Sequence, residues 1–134
     1  MFFMNNFDNI ANDLTAALSG DFLTDAILQE DEGVWQIFLG REMVTVEVDL
    51  PLRRVGFAIQ SLDEFGKIPP EKLVLMLQYS FVWRATSGVY FSLTGNEQPV
   101  LMICINSDEV QVSSIRKIIF GLTEKFSVWK DILN

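Results

Sequence analysis

The chain has 134 residues, 49% of them hydrophobic, with one cysteine, no histidine and a formal net charge of −8. This length fits one domain, and so apolar a composition excludes an intrinsically disordered chain. The acidity argues against nucleic acid and anionic membranes as partners, because both require a basic surface that displaces counterions.

No apolar run is long enough to span a bilayer, and Met1 to Asn6 lacks the basic n-region and apolar h-region of a leader, so a cytoplasmic protein is expected. Phe3, Phe7, Ile10, Leu14 and Ala17 recur at steps of four and three, which predicts an opening helix ending near Gly20. A short extended piece around Ala26-Ile27-Leu28 follows, and residues 30–33 read as a turn. Residues 34–39 read as a strand, with Trp35 and Ile37 on one face and Val34 and Phe38 on the other. Both faces are apolar. Such a strand either is buried on both sides or gives one face to the core and one to a partner.

Gly40-Arg41-Glu42 turns the chain into residues 43–49, where Val44, Val46 and Val48 face one way and Thr45, Glu47 and Asp49 the other. A third strand spans residues 54–60, with Val55, Phe57 and Ile59 on one side. Together these make an antiparallel meander with one wet face.

Residues 70–83 form the least ordinary segment. Pro70 suits the first turn of a helix and Glu71 the positive end of its dipole. Apolar side chains then cover nearly the whole circumference, interrupted by Gln78 and Ser80. A small domain buries one face of such a helix, so the second face needs a cover. Another copy of the chain is the simplest one.

Beyond it, residues 88–94 and 99–105 read as two strands around the loop Gly95-Asn96-Glu97. Cys104 lies in the apolar run of residues 100–105, where a buried inert thiol is expected; a lone cysteine also agrees with a reducing compartment. Asn106 to Glu109 supply a cap and first-turn acids for a closing helix. Ile115, Ile118, Ile119, Leu122, Phe126, Trp129 and Leu133 place one apolar stripe on that helix, which reads as core. The predicted fold is α+β: helix, three strands, helix, two strands, helix, around a mostly antiparallel twisted sheet.

Without histidine the chain holds no Ser-His-Asp triad and no histidine-based metal site. Gly88 and Gly95 fit neither a Walker nor a Rossmann spacing. Glu47 and Asp49 project from one strand face about 7 Å apart at strand rise, yet two acids on a wet face need no catalytic explanation. The chain does not read as an enzyme, and no cofactor or metal is expected.

Element order, acidity and the apolar second helix together resemble the class I type III secretion chaperones, the family of the Tir chaperone. The likeness is carried by the strand-turn-strand of residues 34–48, the Leu73-Val74-Leu75-Met76-Leu77 helix before Gly88, and the closing Phe126-Ser127-Val128-Trp129 with Leu133. The resemblance implies a homodimeric chaperone that binds the N-terminal region of a cognate effector, keeps it extended and primes it for the secretion ATPase. On this reading the cargo residues are Phe3, Phe7, Ile10, Leu14, Val34, Trp35, Phe38, Val44 and Val46, and the dimer residues are Leu75, Met76, Tyr79, Val82, Trp83 and Tyr90. An extended peptide would add to a free strand edge while apolar pockets take alternate side chains. One free helix face of about 20 by 10 Å falls short of the roughly 800 Å² per partner of a stable interface. The strand of residues 88–94 is therefore expected to join the contact. Two other readings stay open: a carrier enclosing a small apolar ligand between helices and sheet, and a subunit that pairs with a different small protein.

Overall fold

The computed structural model describes residues 26–31, 33–49, 51–82, 88–106, 109–110 and 112–134. The opening helix expected over Phe3 to Ala17 lies outside the described residues, and so does Trp83. Eight elements follow in chain order: β1 (Ala26–Asp31), β2 (Val34–Leu39), β3 (Glu42–Asp49), β4 (Arg54–Ser61), α1 (Pro70–Phe81), β5 (Tyr90–Leu93), β6 (Pro99–Asn106) and α2 (Val112–Leu133). The strands make one antiparallel sheet in the order β1-β2-β3-β4-β6-β5. The α+β class and the antiparallel sheet agree with the sequence pattern, with one addition. The short extended piece at Ala26-Ile27-Leu28 is a full strand, paired Ala26 to Phe38 and Leu28 to Gln36.

Turn chemistry sets the register. Leu39 pairs with Glu42 across a two-residue loop in which Gly40 takes φ +64°, the position that a type II′ hairpin reserves for glycine. Between β3 and β4 the Leu52 amide donates to Asp49 Oδ1 at 3.2 Å, so one of the two wet-face acids serves as a turn acceptor. Arg53 stands there in the left-handed region at φ 52°, where glycine would be cheaper.

The period-2 pattern then sorts the sheet. Trp35, Ile37, Val44, Val46, Val55, Phe57, Ile59 and Leu101 are buried on one face. Ile115, Ile119, Leu122 and Phe126 of α2 close over them as a 3.6-residue stripe, so the closing helix is core as its spacing predicts. Phe57 and Phe126 are fully enclosed, and truncating either removes contacts of the kind worth about 3–5 kcal/mol. Lys130 in the last turn of α2 donates to Glu42 Oε2 at 3.0 Å, tying that helix end to the start of β3.

Helix α1 does not lie over the sheet. It packs beside β5 and against the end of α2, where Ile68, Met76, Trp129 and Leu133 form a second buried cluster. Three rings lock this joint: Trp129 meets Phe91 edge-on at 4.8 Å and 81°, and Tyr79 lies 5.7 Å from Phe91. Such pairs add about 0.5–1.5 kcal/mol each beyond area. The approach to α1 is held by Gln98, whose Oε1 accepts from the Phe65 amide at 2.6 Å and whose Nε2 donates to the Phe65 carbonyl at 3.3 Å.

Two boundaries and one side chain depart from expectation. Helix α1 ends at Phe81, where the Val82 amide returns to the Gln78 carbonyl. Helix α2 opens at Val112, three residues past the acids expected to cap it. Cys104 is exposed rather than buried. It lies two residues from Met102 on β6, on the face away from α2, because its neighbours Ile103 and Ile105 take the inward positions.

Candidate functional site

Among the described residues, two apolar surfaces stand out once the core is accounted for. The first is the outward half of α1. Leu73, Met76 and Tyr79 turn inward onto Trp129 and Phe91, and the helical repeat then sends Val74, Leu75, Leu77 and Phe81 outward. Leu77 is 71% exposed and Phe81 83%, values unusual for side chains this large in a folded helix. With Val82 these make five of the ten large apolar side chains left exposed among the described residues. Glu71 and Gln78 form a polar seam between two apolar flanks, Val74-Leu77-Phe81 on one side and Leu75-Val82 on the other. The neighbouring strand adds exposed Leu93.

Of the residues expected at a dimer contact, Leu75 and Val82 are exposed on this helix. Met76 is buried, because it faces Ile68 and Trp129. Tyr79 is half-buried within the ring joint, and its burial raises its pKa above the usual phenol value, against the lowering effect of a hydrogen bond with Trp129. Tyr90 points to the opposite sheet face, with its hydroxyl 3.6 Å from Cys104 Sγ; that contact, then burial, raises its pKa. Val74, Leu77 and Phe81 were not among the expected contacts. Their signal was present, since fixing Met76 inward sends those three positions out.

The second surface is the outer face of the sheet. Val34, Phe38 and Met43 lie on one side of it and Met102 and Tyr90 on the other, all half-buried. Between them run Thr45, Gly56 and Ala58, adjacent in register. A Cβ on Gly56 would make only ordinary contacts, at 3.7 Å to Cys104 Sγ and 3.9 Å to the Glu47 carbonyl. Packing within the chain does not demand this glycine, and a strand-interior glycine of that kind fits the close approach of another chain.

The expected cargo residues divide between surfaces. Val34 and Phe38 reach the outer face. Trp35, Val44 and Val46 do not: they are 3%, 0% and 0% exposed, held under α2 by strand alternation. No cargo reaches them without opening the core. Phe3, Phe7, Ile10 and Leu14 lie outside the described residues.

The sheet edges also differ. At β5 the Phe91 amide points away from β6 and donates to Ser80 Oγ of α1 at 2.8 Å, so the helix occupies that edge. Ser80 in turn donates to the Met76 carbonyl at 2.9 Å. At the far edge, β1 pairs only with β2 among the described residues.

This architecture is found in solved chaperone complexes. A chain of the HopA1–SchA chaperone–effector complex superposes with a TM-score of 0.75 at 15% identity, covering 95% of this chain and 94% of that one. A chain of the ExsC–ExsE complex gives 0.78 at 13% identity, covering 95% of both. The chain has the type III secretion chaperone fold. A chain of the heterodimeric ExoU–SpcU complex from the type III secretion system of Pseudomonas aeruginosa also matches, with a TM-score of 0.57, 17% identity, and 93% and 98% coverage. No family model matches the chain, and no curated protein matches it in sequence. No helix among the described residues is long and apolar enough to cross a membrane.

Proposed function

We propose that this protein is a type III secretion chaperone that binds the N-terminal region of a cognate effector and holds it extended for export. The observation that carries the reading is whole-chain correspondence to chains from chaperone–effector complexes, over 95% of the sequence. The role is one of binding, without covalent chemistry. Cargo is assigned to the β1 edge and the outer face around Val34, Phe38 and Gly56, where main-chain bonds and shallow apolar sites are available together. Phe3, Phe7, Ile10 and Leu14, on the opening helix expected from the sequence, are assigned to the same task, and delivery to the secretion ATPase follows from the role.

The outward face of α1 is assigned to a second copy of the chain. Its twelve residues give a strip about 18 Å long, less than the roughly 800 Å² per partner that a stable interface requires. Leu93 and the adjoining strand extend it. The polar seam of Glu71 and Gln78 supports a specific contact over a non-specific one, since seams of this kind set register.

The test is co-expression with the secreted proteins of the same bacterium, followed by limited proteolysis. A protected N-terminal effector fragment that copurifies with the chaperone is the expected result. Absence of any protected fragment across those proteins overturns the assignment.

A further inference from the structure

The closing helix carries a feature that neither surface above uses. Val89, Ile103, Ile118, Gly121 and Leu122 line an open slot of about 110 Å³ on the α2 side of the sheet, with Lys117 and Lys125 on its rim. Gly121 makes the notch. A Cβ built there meets nothing within 4 Å, so the fold does not require glycine at this position. A glycine inside a helix costs about 0.5–1 kcal/mol relative to alanine. The helix keeps that cost and leaves the floor of the slot open.

The rim has a regular geometry. Lys117 and Lys125 stand one turn before and one turn after Gly121, each about 6 Å away along the axis. Neither has an ion-pair partner among the described residues. On a chain of net charge −8 they form a local cationic pair around an apolar hole. The remaining negative charge is screened beyond about 8–10 Å at physiological salt.

We propose that this slot docks a linear peptide segment of a partner protein, in which one branched aliphatic side chain is flanked by carboxylates two places before and two places after it. Size sets the central residue: a cavity of about 150 Å³ admits benzene, so this smaller one suits a valine or leucine side chain. Spacing sets the flanks. In an extended segment, side chains two residues apart share a face and lie about 6.6 Å apart, which matches the offset of each lysine from Gly121. The site lies on the opposite side of the sheet from the proposed cargo face, so it is a second docking site and not a part of the first.

The experiment is fluorescence anisotropy with a labelled peptide carrying glutamates two places either side of a single leucine. Two control peptides replace the leucine by serine or the glutamates by lysines. The acidic peptide binds the wild-type protein, weakens as salt rises, and the controls do not bind. Gly121→Leu fills the slot with a better helix former, so thermal stability is kept or raised while affinity falls about tenfold or more. The pair Lys117→Glu and Lys125→Glu has the same effect on affinity. Equal binding to wild type and Gly121→Leu overturns the proposal, as does failure to saturate at millimolar peptide. Binding to anionic vesicles without binding to the peptide also overturns it.

Discussion

Trp129 of the closing helix meets Tyr79 of α1 edge-on, with ring centroids 5.2 Å apart at 71°. Phe91 of β5 completes the group, so a single indole joins α1, β5 and α2. Trp129→Ala is expected to cost about 3–5 kcal/mol and to release α1 from the domain. Near-ultraviolet circular dichroism and the urea midpoint would report this. A wild-type midpoint in Trp129→Ala would show that α1 is held by other means.

Charge on the outward face of α1 separates assembly from folding. Leu77→Glu and Phe81→Glu substitute exposed side chains, so each leaves the melting temperature within a few degrees of wild type. Both are expected to convert the proposed dimer to monomer in light scattering at micromolar concentration, whereas Gln78→Glu has a smaller effect. A wild-type protein that is monomeric under these conditions refutes the assigned contact.

Two ion pairs among the described residues, Lys130–Glu42 and Arg41–Asp63, differ in burial, and their mutants differ accordingly. Lys130 and Glu42 are mostly shielded, so Lys130→Ala leaves a half-buried carboxylate unpaired and costs about 1–3 kcal/mol. Arg41 and Asp63 are 2.7 Å apart but well exposed, and Arg41→Ala should cost no more than about 1 kcal/mol. Chemical denaturation of the two variants side by side checks the order.

Alkali tests the phenols. The chain has two tyrosines, Tyr79 and Tyr90, and both pKa values are raised above the ordinary phenol value of 10.0. For a group raised in the folded state, the unfolded chain loses its proton first. The stabilisation is therefore complete below pH 10 and declines as pH rises through the folded values. Phenolate absorbance of the native protein should appear at higher pH than that of the urea-unfolded chain. Tyr79→Phe should remove part of the alkaline loss of stability.

Much of the fold was legible because its signals are local and redundant. Alternation put Val44, Val46, Val55, Phe57 and Ile59 on one face, and the spacing from Ile115 to Leu133 marked α2 as core. The order of strands was not legible, since nothing in β6 itself says that it pairs with β4 across an intervening helix and strand. In sequence β1 reads as a short extended piece because Gln29-Glu30-Asp31 breaks its apolar pattern, although the backbone still pairs. Cys104 was misplaced for a related reason. An apolar run such as 100–105 hides its own parity, and here Ile103 and Ile105 take the inward positions. The cargo set lost Trp35, Val44 and Val46 because apolar character alone does not distinguish a side chain under a helix from one offered to a partner.

The Ser80 hydroxyl that accepts the Phe91 amide has an effect beyond the joint it sits in. A sheet able to grow at both margins can recruit chain after chain into a fibril, and an apolar chain held at high concentration runs that risk. Here growth at one margin is plugged by a serine. Among the described residues that leaves the β1 margin for a new strand, and a strand added there finds no second open sheet margin on the same molecule. A sheet with one margin capped in this way grows in one direction only.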